Sequence, residues 1–173
     1  MLFRSKACSA GAAVDLATEF AAGRLLAPID HEDPAHLALT GTGLTHLGSA
    51  EGRDKMHREA AAAAQQTDSM RMFLEGLAGG KPGDGSVGQQ PEWFYKGDGS
   101  QLVGPGEPLE MPAFAQDGGE EPELAGIYLI GPDGTPFRLG FALANEFSDH
   151  VTERHNYLWL AHSKDRKSTR LNS

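Results

Sequence analysis

The chain has 173 residues, enough for one ordinary domain with a core, and its 39% apolar and 8% aromatic content suits a soluble globular protein better than a disordered one. A net charge of −9 argues against a nucleic-acid backbone as partner, because phosphate contacts need a basic face. No apolar run approaches the roughly 20 residues needed to span a bilayer, and the single cysteine, Cys8, cannot form an internal disulfide, which fits an inert thiol in a reducing cytoplasm.

Met1 to Ala13 carries Arg4 and Lys6 without a continuous apolar stretch, so no secretory signal is expected there. Ala12 to Leu26 spaces Val14, Leu16, Phe20 and Leu25 as a short amphipathic helix, which Pro28 ends; Asp30 to Pro34 reads as a loop. Leu37 to Leu47 reads as a strand running into a tight glycine turn. Asp54 to Leu77 is the clearest helix, with its alanines from Ala60 to Ala64 and apolar Met70, Phe73 and Leu77; Met56, Met70 and Met72 are assigned to packing. Gly79 to Gln90 is an irregular loop that lacks the spacing of a phosphate-binding loop. From Pro91 the character turns to strand, in Trp93-Phe94-Tyr95, in Leu102-Val103 and from Leu124 to Ile130. Pro132-Asp133-Gly134-Thr135 is a turn signal, after which Phe137, Leu139, Phe141 and Leu143 alternate on one face. Tyr157 to Leu160, Trp159 included, supply core residues. Asp165 to Ser173 holds one apolar residue in nine and resembles translated adapter DNA, so it is set apart from the fold.

The chemistry concentrates in two stretches, Glu121-Pro122-Glu123-Leu124 and Gly140 through Ser148. In an extended strand Glu121 and Glu123 project from one face, and side by side they repel unless a cation or a proton lies between them. The hairpin can return Glu146 to the same place. Three carboxylates with no thiolate suit a hard divalent ion, Mg²⁺ first, with Mn²⁺ or Ca²⁺ as substitutes. The plainer reading is a set of solvated charges on an edge strand, in an acidic run with Asp117 and Glu120; Pro122 is at home at an edge or a strand start.

Gln90-Pro91-Glu92-Trp93-Phe94-Tyr95-Lys96, Val103-Gly104-Pro105-Gly106, Glu121 to Leu124 and Gly140 to Ser148 together resemble the fumarylacetoacetate hydrolase (fumarylacetoacetase, FAH) superfamily, in order and spacing, and its sugar-acid (pentonate) branch in particular. The resemblance runs roughly from Leu39 to Lys164. It implies an N-terminal helical and linker segment (1–38), a partial catalytic domain (39–164) and a non-native tail (165–173). The implied fold is α+β, mainly β: a mixed β-roll with peripheral helices in the first half, incomplete at its C-terminal end and homodimeric at full length. It also implies a cytoplasmic enzyme whose Mg²⁺ chelates a small-molecule 2-oxo acid and polarises its carbonyl, with neither nucleic acid nor membrane as partner. The metal ligands fall on Glu121, Glu123 and Glu146, the last replacing the usual Asp. Lys96 matches the lysine near the substrate, Ser148 is the serine of the metal site, and Lys164 is the lysine that follows the third ligand.

Departures bear on the reaction. The family hydrolases place a water-activating His where this chain has Ser49, and a Tyr where it has His46; His150 replaces an Arg used for anions. A serine hydroxyl without a partner is no general base near neutral pH. The resemblance therefore points first to dehydration of a 2-oxo-3-deoxy pentonate, with Lys164 as base, His46 assisting the leaving group, and Lys96, Ser148 and Ser49 binding substrate. His46 can equally serve a structural hydrogen bond. Two alternatives stand beside this: hydrolysis of acylpyruvates or diketo acids, and a non-catalytic, metal-binding or inactive fragment.

Overall fold

The computed structural model describes residues 12–60 and 67–165. Residues 1–11 with Cys8, residues 61–66 with the alanines Ala61 to Ala64, and the tail beyond Asp165 lie outside the described residues. Helix α1 (Leu16–Ala21) is shorter than the expected Ala12 to Leu26. Asp15 caps it, its carboxylate accepting from Thr18 N, and Gly23 leaves it at φ 65°, a left-handed value that glycine adopts without a Cβ clash.

Strand β1 (Ala38–Gly41) follows, and the glycine-rich turn after it feeds helix α2 (Leu47–Ala60). Helix α3 (Asp68–Gly79) is separate, so the single helix expected from Asp54 to Leu77 is corrected to two. Thr67 makes the restart: it is extended (φ −71°, ψ 160°), accepts from Met70 N at 3.3 Å, and donates to Asp54 Oδ1 on α2 at 2.6 Å. The core sits where α2 and α3 meet, with Leu44, Ala50 and Phe73 buried and Met70 packed against them. Leu44 holds a left-handed φ of 57°, unusual for a branched side chain, and burial against Phe73 and Ala50 keeps it there.

The strands form two separate antiparallel pairs. In the first, β1 pairs with β2 (Phe94–Asp98). Leu39 opposes Gly97 and Thr40 opposes Tyr95, which leaves Lys96 as the extra residue of a β-bulge. In the second, β3 (Gly119–Ile130) pairs with β4 (Pro136–Ser148) around the expected turn. Leu102 and Val103 form no strand; they follow a 3-10 turn at Gly99–Gln101, inside the connecting loop. The alternation from Phe137 to Leu143 is also corrected. Ile127 opposes Gly140 but Tyr128 opposes Arg138, so Leu139 is a bulge residue and Phe137 faces away from Phe141. The Arg138 guanidinium accordingly lies over the Phe141 ring, 5.2 Å from its centroid.

Two short helices, α4 (His150–His155) and α5 (Leu160–Ser163), close the described chain. Trp159, expected in the core, is 42% exposed and stacks on His155 at 5.2 Å. The architecture is mixed helix and strand; the expected predominance of β-structure is not seen, since helix outweighs strand among the described residues. Among the described residues, no helix is long and apolar enough to cross a membrane.

Candidate active site

Antiparallel register assembles the site. Glu121 on β3 is the cross-strand partner of Glu146 on β4, so both leave the same face of the ladder, and Glu123 lies two residues along that face. Oxygens of the three carboxylates lie within 4.8 Å of one another. Ser148 sits further along on the same face, fully buried, opposite Gly119. A Cβ at Gly119 would collide with the His150 ring and the Ser148 carbonyl oxygen, so the strand start tolerates only glycine here.

Two lysines arrive from other elements. Lys96, aimed by its bulge, donates to Glu123 at 2.8 and 3.0 Å and to Glu146 at 2.6 Å. Its stem runs across Gly41, where a Cβ would strike Lys96 Cε and the Phe94 ring; Gly97 beside it has φ 144°. Lys164 comes from the end of α5 and is 4% exposed. Its ammonium donates to Glu121 Oε1 and Ser148 Oγ, both at 2.7 Å, and to Glu153 Oε2 at 3.4 Å, with Glu146 Oε2 at 3.9 Å.

The closing helices bring Lys164 there. Asp149, 3% exposed, caps α4 by accepting from Thr152 N at 3.0 Å and Thr152 Oγ1 at 2.6 Å, and from Gln116 N at 2.9 Å. Burial alone would favour its neutral form, but those donors hold its carboxyl below the ordinary range. Asp149 N also donates to Ser163 O at 2.8 Å, which ties the α5 end beneath the ladder.

The three carboxylates differ in charge state. Burial opposes ionisation of Glu121, yet the Lys164 ammonium, Ser148 and His150 overcome it and hold its pKa at about 2. Glu146 goes the other way: burial dominates, Glu123 adds repulsion, and its pKa rises to about 7 despite Lys96 and Lys164. Lys96 is itself raised; burial works against its charge, and the hydrogen bonds to Glu123 and Glu146 outweigh it.

These residues fit a hard divalent ion. The donor set is all carboxylate oxygen, and the three groups lie close enough to share one cation. The structure thus gathers Lys96, Glu121, Glu123, Glu146, Ser148 and Lys164. His46 and Ser49 stand apart at the start of α2, where His46 Nδ1 accepts from Ser49 N at 3.0 Å; among the described residues neither bonds to the cluster. Sequence reasoning missed Glu153, buried beside Lys164, and the contacts of His150, whose Nε2 is 3.1 Å from Glu121 Oε1 and Nδ1 3.4 Å from Asp117 Oδ2. The Asp149-Thr152 spacing carried a legible capping signal; Glu153 had none.

No family model matches the sequence, and no curated protein matches it. Among solved structures, the chain is similar to one titled "2-keto-3-deoxy-D-arabinonate dehydratase apo form", with a TM-score of 0.57 and 21% identity. The match covers 89% of this chain and 45% of that chain, so this chain spans less than half the length of its structural neighbour. In fold, the chain is a partial counterpart of that dehydratase.

Proposed function

We propose that this chain carries the carboxylate and lysine centre of a divalent-metal enzyme that dehydrates a 2-oxo-3-deoxy sugar acid, a pentonate in the first instance. The observation that carries the reading is the convergence of Glu121, Glu123 and Glu146 on one ladder face with the Lys164 ammonium against them. Glu121, Glu123 and Glu146 would hold Mg²⁺, which when bound supplies Lewis-acid polarisation of a 2-oxo carbonyl and so acidifies the neighbouring C3 protons. Lys96 binds the substrate carboxylate. Lys164 sheds a proton before turnover; as the neutral amine it takes a C3 proton and passes it to the C4 hydroxyl, which leaves as water as a C3–C4 double bond forms. The product tautomerises to a 2-oxo semialdehyde. Glu121 and Glu153 stabilise the resulting ammonium, and Ser148 fixes its position.

The hydrolase reading lacks support at His46 and Ser49: His46 Nδ1 accepts from Ser49 N in the first turn of α2, and among the described residues neither bonds to the carboxylates. The fragment reading is favoured by one observation: the face of β3 and β4 opposite the carboxylates leaves Leu124 69%, Phe141 59% and Leu143 91% exposed. The test is to supply Mg²⁺ and 2-oxo-3-deoxypentonate to this chain and to a longer gene product, and to assay the semialdehyde. Formation that disappears with chelator and with Glu123→Ala supports the proposal. Acylpyruvate cleavage without semialdehyde would replace it with the hydrolase reading. A Mg²⁺-dependent rise in melting temperature without turnover in either protein would leave a metal-binding module.

A further inference from the structure

We infer that Lys96 is a tethered counter-ion: its ammonium holds Glu123 and Glu146 together in the metal-free protein, and loading a divalent ion displaces it toward the adjoining cleft. The inference rests on the metal-site reading above and concerns how that site is filled.

Three observations carry it. First, Lys96 Nζ bonds two of the three carboxylates at 2.6 to 3.0 Å, so an ion and the ammonium compete for the same oxygens. Second, the side chain is delivered by devices separate from the carboxylates. The bulge against Leu39 and Thr40 leaves Lys96 outside the ladder pairing, and Gly41 clears a path for its stem. A residue unpaired in its ladder can re-aim without breaking strand pairing. Third, there is room to receive it. Lys96 also lines a cleft of about 410 Å³, whose other walls include Tyr95, Asp98, Gln101, His162 and Asp165. Two of these are carboxylates already engaged, Asp98 with Ser100 N and Asp165 with Gln101 Nε2, so an ammonium turned that way keeps polar surroundings while its charge stays open to an anion.

A functional order follows. While Lys96 is paired with Glu123 and Glu146, its charge is spent inside the cluster. Once displaced, it stands beside the cleft as a cation able to take a substrate carboxylate. Metal therefore enters before the organic anion, and the lysine couples the two events.

The experiment uses the intact chain with Mg²⁺ alone. Surface acylation of lysines, read by mass spectrometry, is compared with and without Mg²⁺, with exposed Lys81 as the internal standard. The expected result is a several-fold rise in labelling at Lys96 with no rise at buried Lys164. In parallel, calorimetry of Lys96→Met should show Mg²⁺ binding about tenfold tighter than wild type, since a charge-assisted hydrogen bond no longer has to be broken. Should Lys96→Met fail to fold without metal, Mg²⁺ must restore a cooperative melt. Unchanged Lys96 labelling in a wild-type protein that takes up Mg²⁺ overturns the counter-ion inference and spares the metal site. So does a variant that binds Mg²⁺ no more tightly than wild type, or one that Mg²⁺ does not restore. Absence of Mg²⁺ uptake by wild type overturns both.

Discussion

Glu146→Gln should make the metal-free protein more stable at pH 8 and leave it unchanged near pH 4.5. The carboxyl of Glu146 is held at about 7 against an ordinary 4.5, chiefly by burial. A folded-state pKa above the unfolded value means that the native protein holds a proton that the unfolded chain has lost. The associated stability is therefore complete below pH 4.5 and is lost as the pH rises through about 7. The interval corresponds to about 3 kcal/mol at ~1.4 kcal/mol per pH unit, and Glu146 is only 12% exposed at its side chain, so solvent screening removes little of it. Glutamine keeps an acceptor for Lys96 and carries no charge to bury. For a domain of this size, ~3 kcal/mol is on the order of 5–10 °C in melting temperature. Urea or thermal melts in chelator at pH 5 and pH 8 provide the assay. An equal difference between variant and wild type at both pH values would refute the reasoning. With Mg²⁺ present the ordering should reverse at pH 8, because only the wild type gains from the ion.

Lys164→Met should abolish the proposed dehydration and destabilise the fold by about 3 kcal/mol, since it strands buried Glu153 and half-buried Glu121 without their cation; adding Glu153→Gln should recover part of the loss in a urea melt. Asp149→Ala should cost about 2 kcal/mol, because Thr152 and Gln116 lose their buried acceptor; Asp149→Asn should be milder in the same melt. Paired Phe141→Lys and Leu143→Lys substitutions should lower light scattering on concentration, because they break an exposed apolar face, and should leave any Mg²⁺-dependent melting shift intact.

The hairpin was the most legible part of the molecule. Pro132-Asp133-Gly134-Thr135 marks its turn, and strand periodicity alone puts Glu121 and Glu123 on one face. The restart at α3 was not legible, because the alanine-rich sequence favours one continuous helix and Thr67 is set as a new cap by reaching across to Asp54, a tertiary contact. Bulges were equally hidden. Nothing in Phe137-Arg138-Leu139-Gly140 marks Leu139 as the extra residue, so the apolar alternation looked one-sided. In the site, the carboxylates and Lys96 came from motif and spacing. Glu153 escaped notice because its value lies in burial beside Lys164, and burial depends on how α4 and α5 fold back.

The bulge at Leu139 also divides the long ladder into two stretches with independent phase. Inboard of it, residues from Gly119 to Ile127 keep strict opposition with Gly140 to Ser148, which fixes the geometry of the acids. Outboard, the tip from Tyr128 to Arg138 is set off from that stretch by the one surplus residue, Leu139. Peptide insertions or tags at Asp133-Gly134 should thus leave the chemistry at the root undisturbed, which makes the tip a natural grafting point for probes.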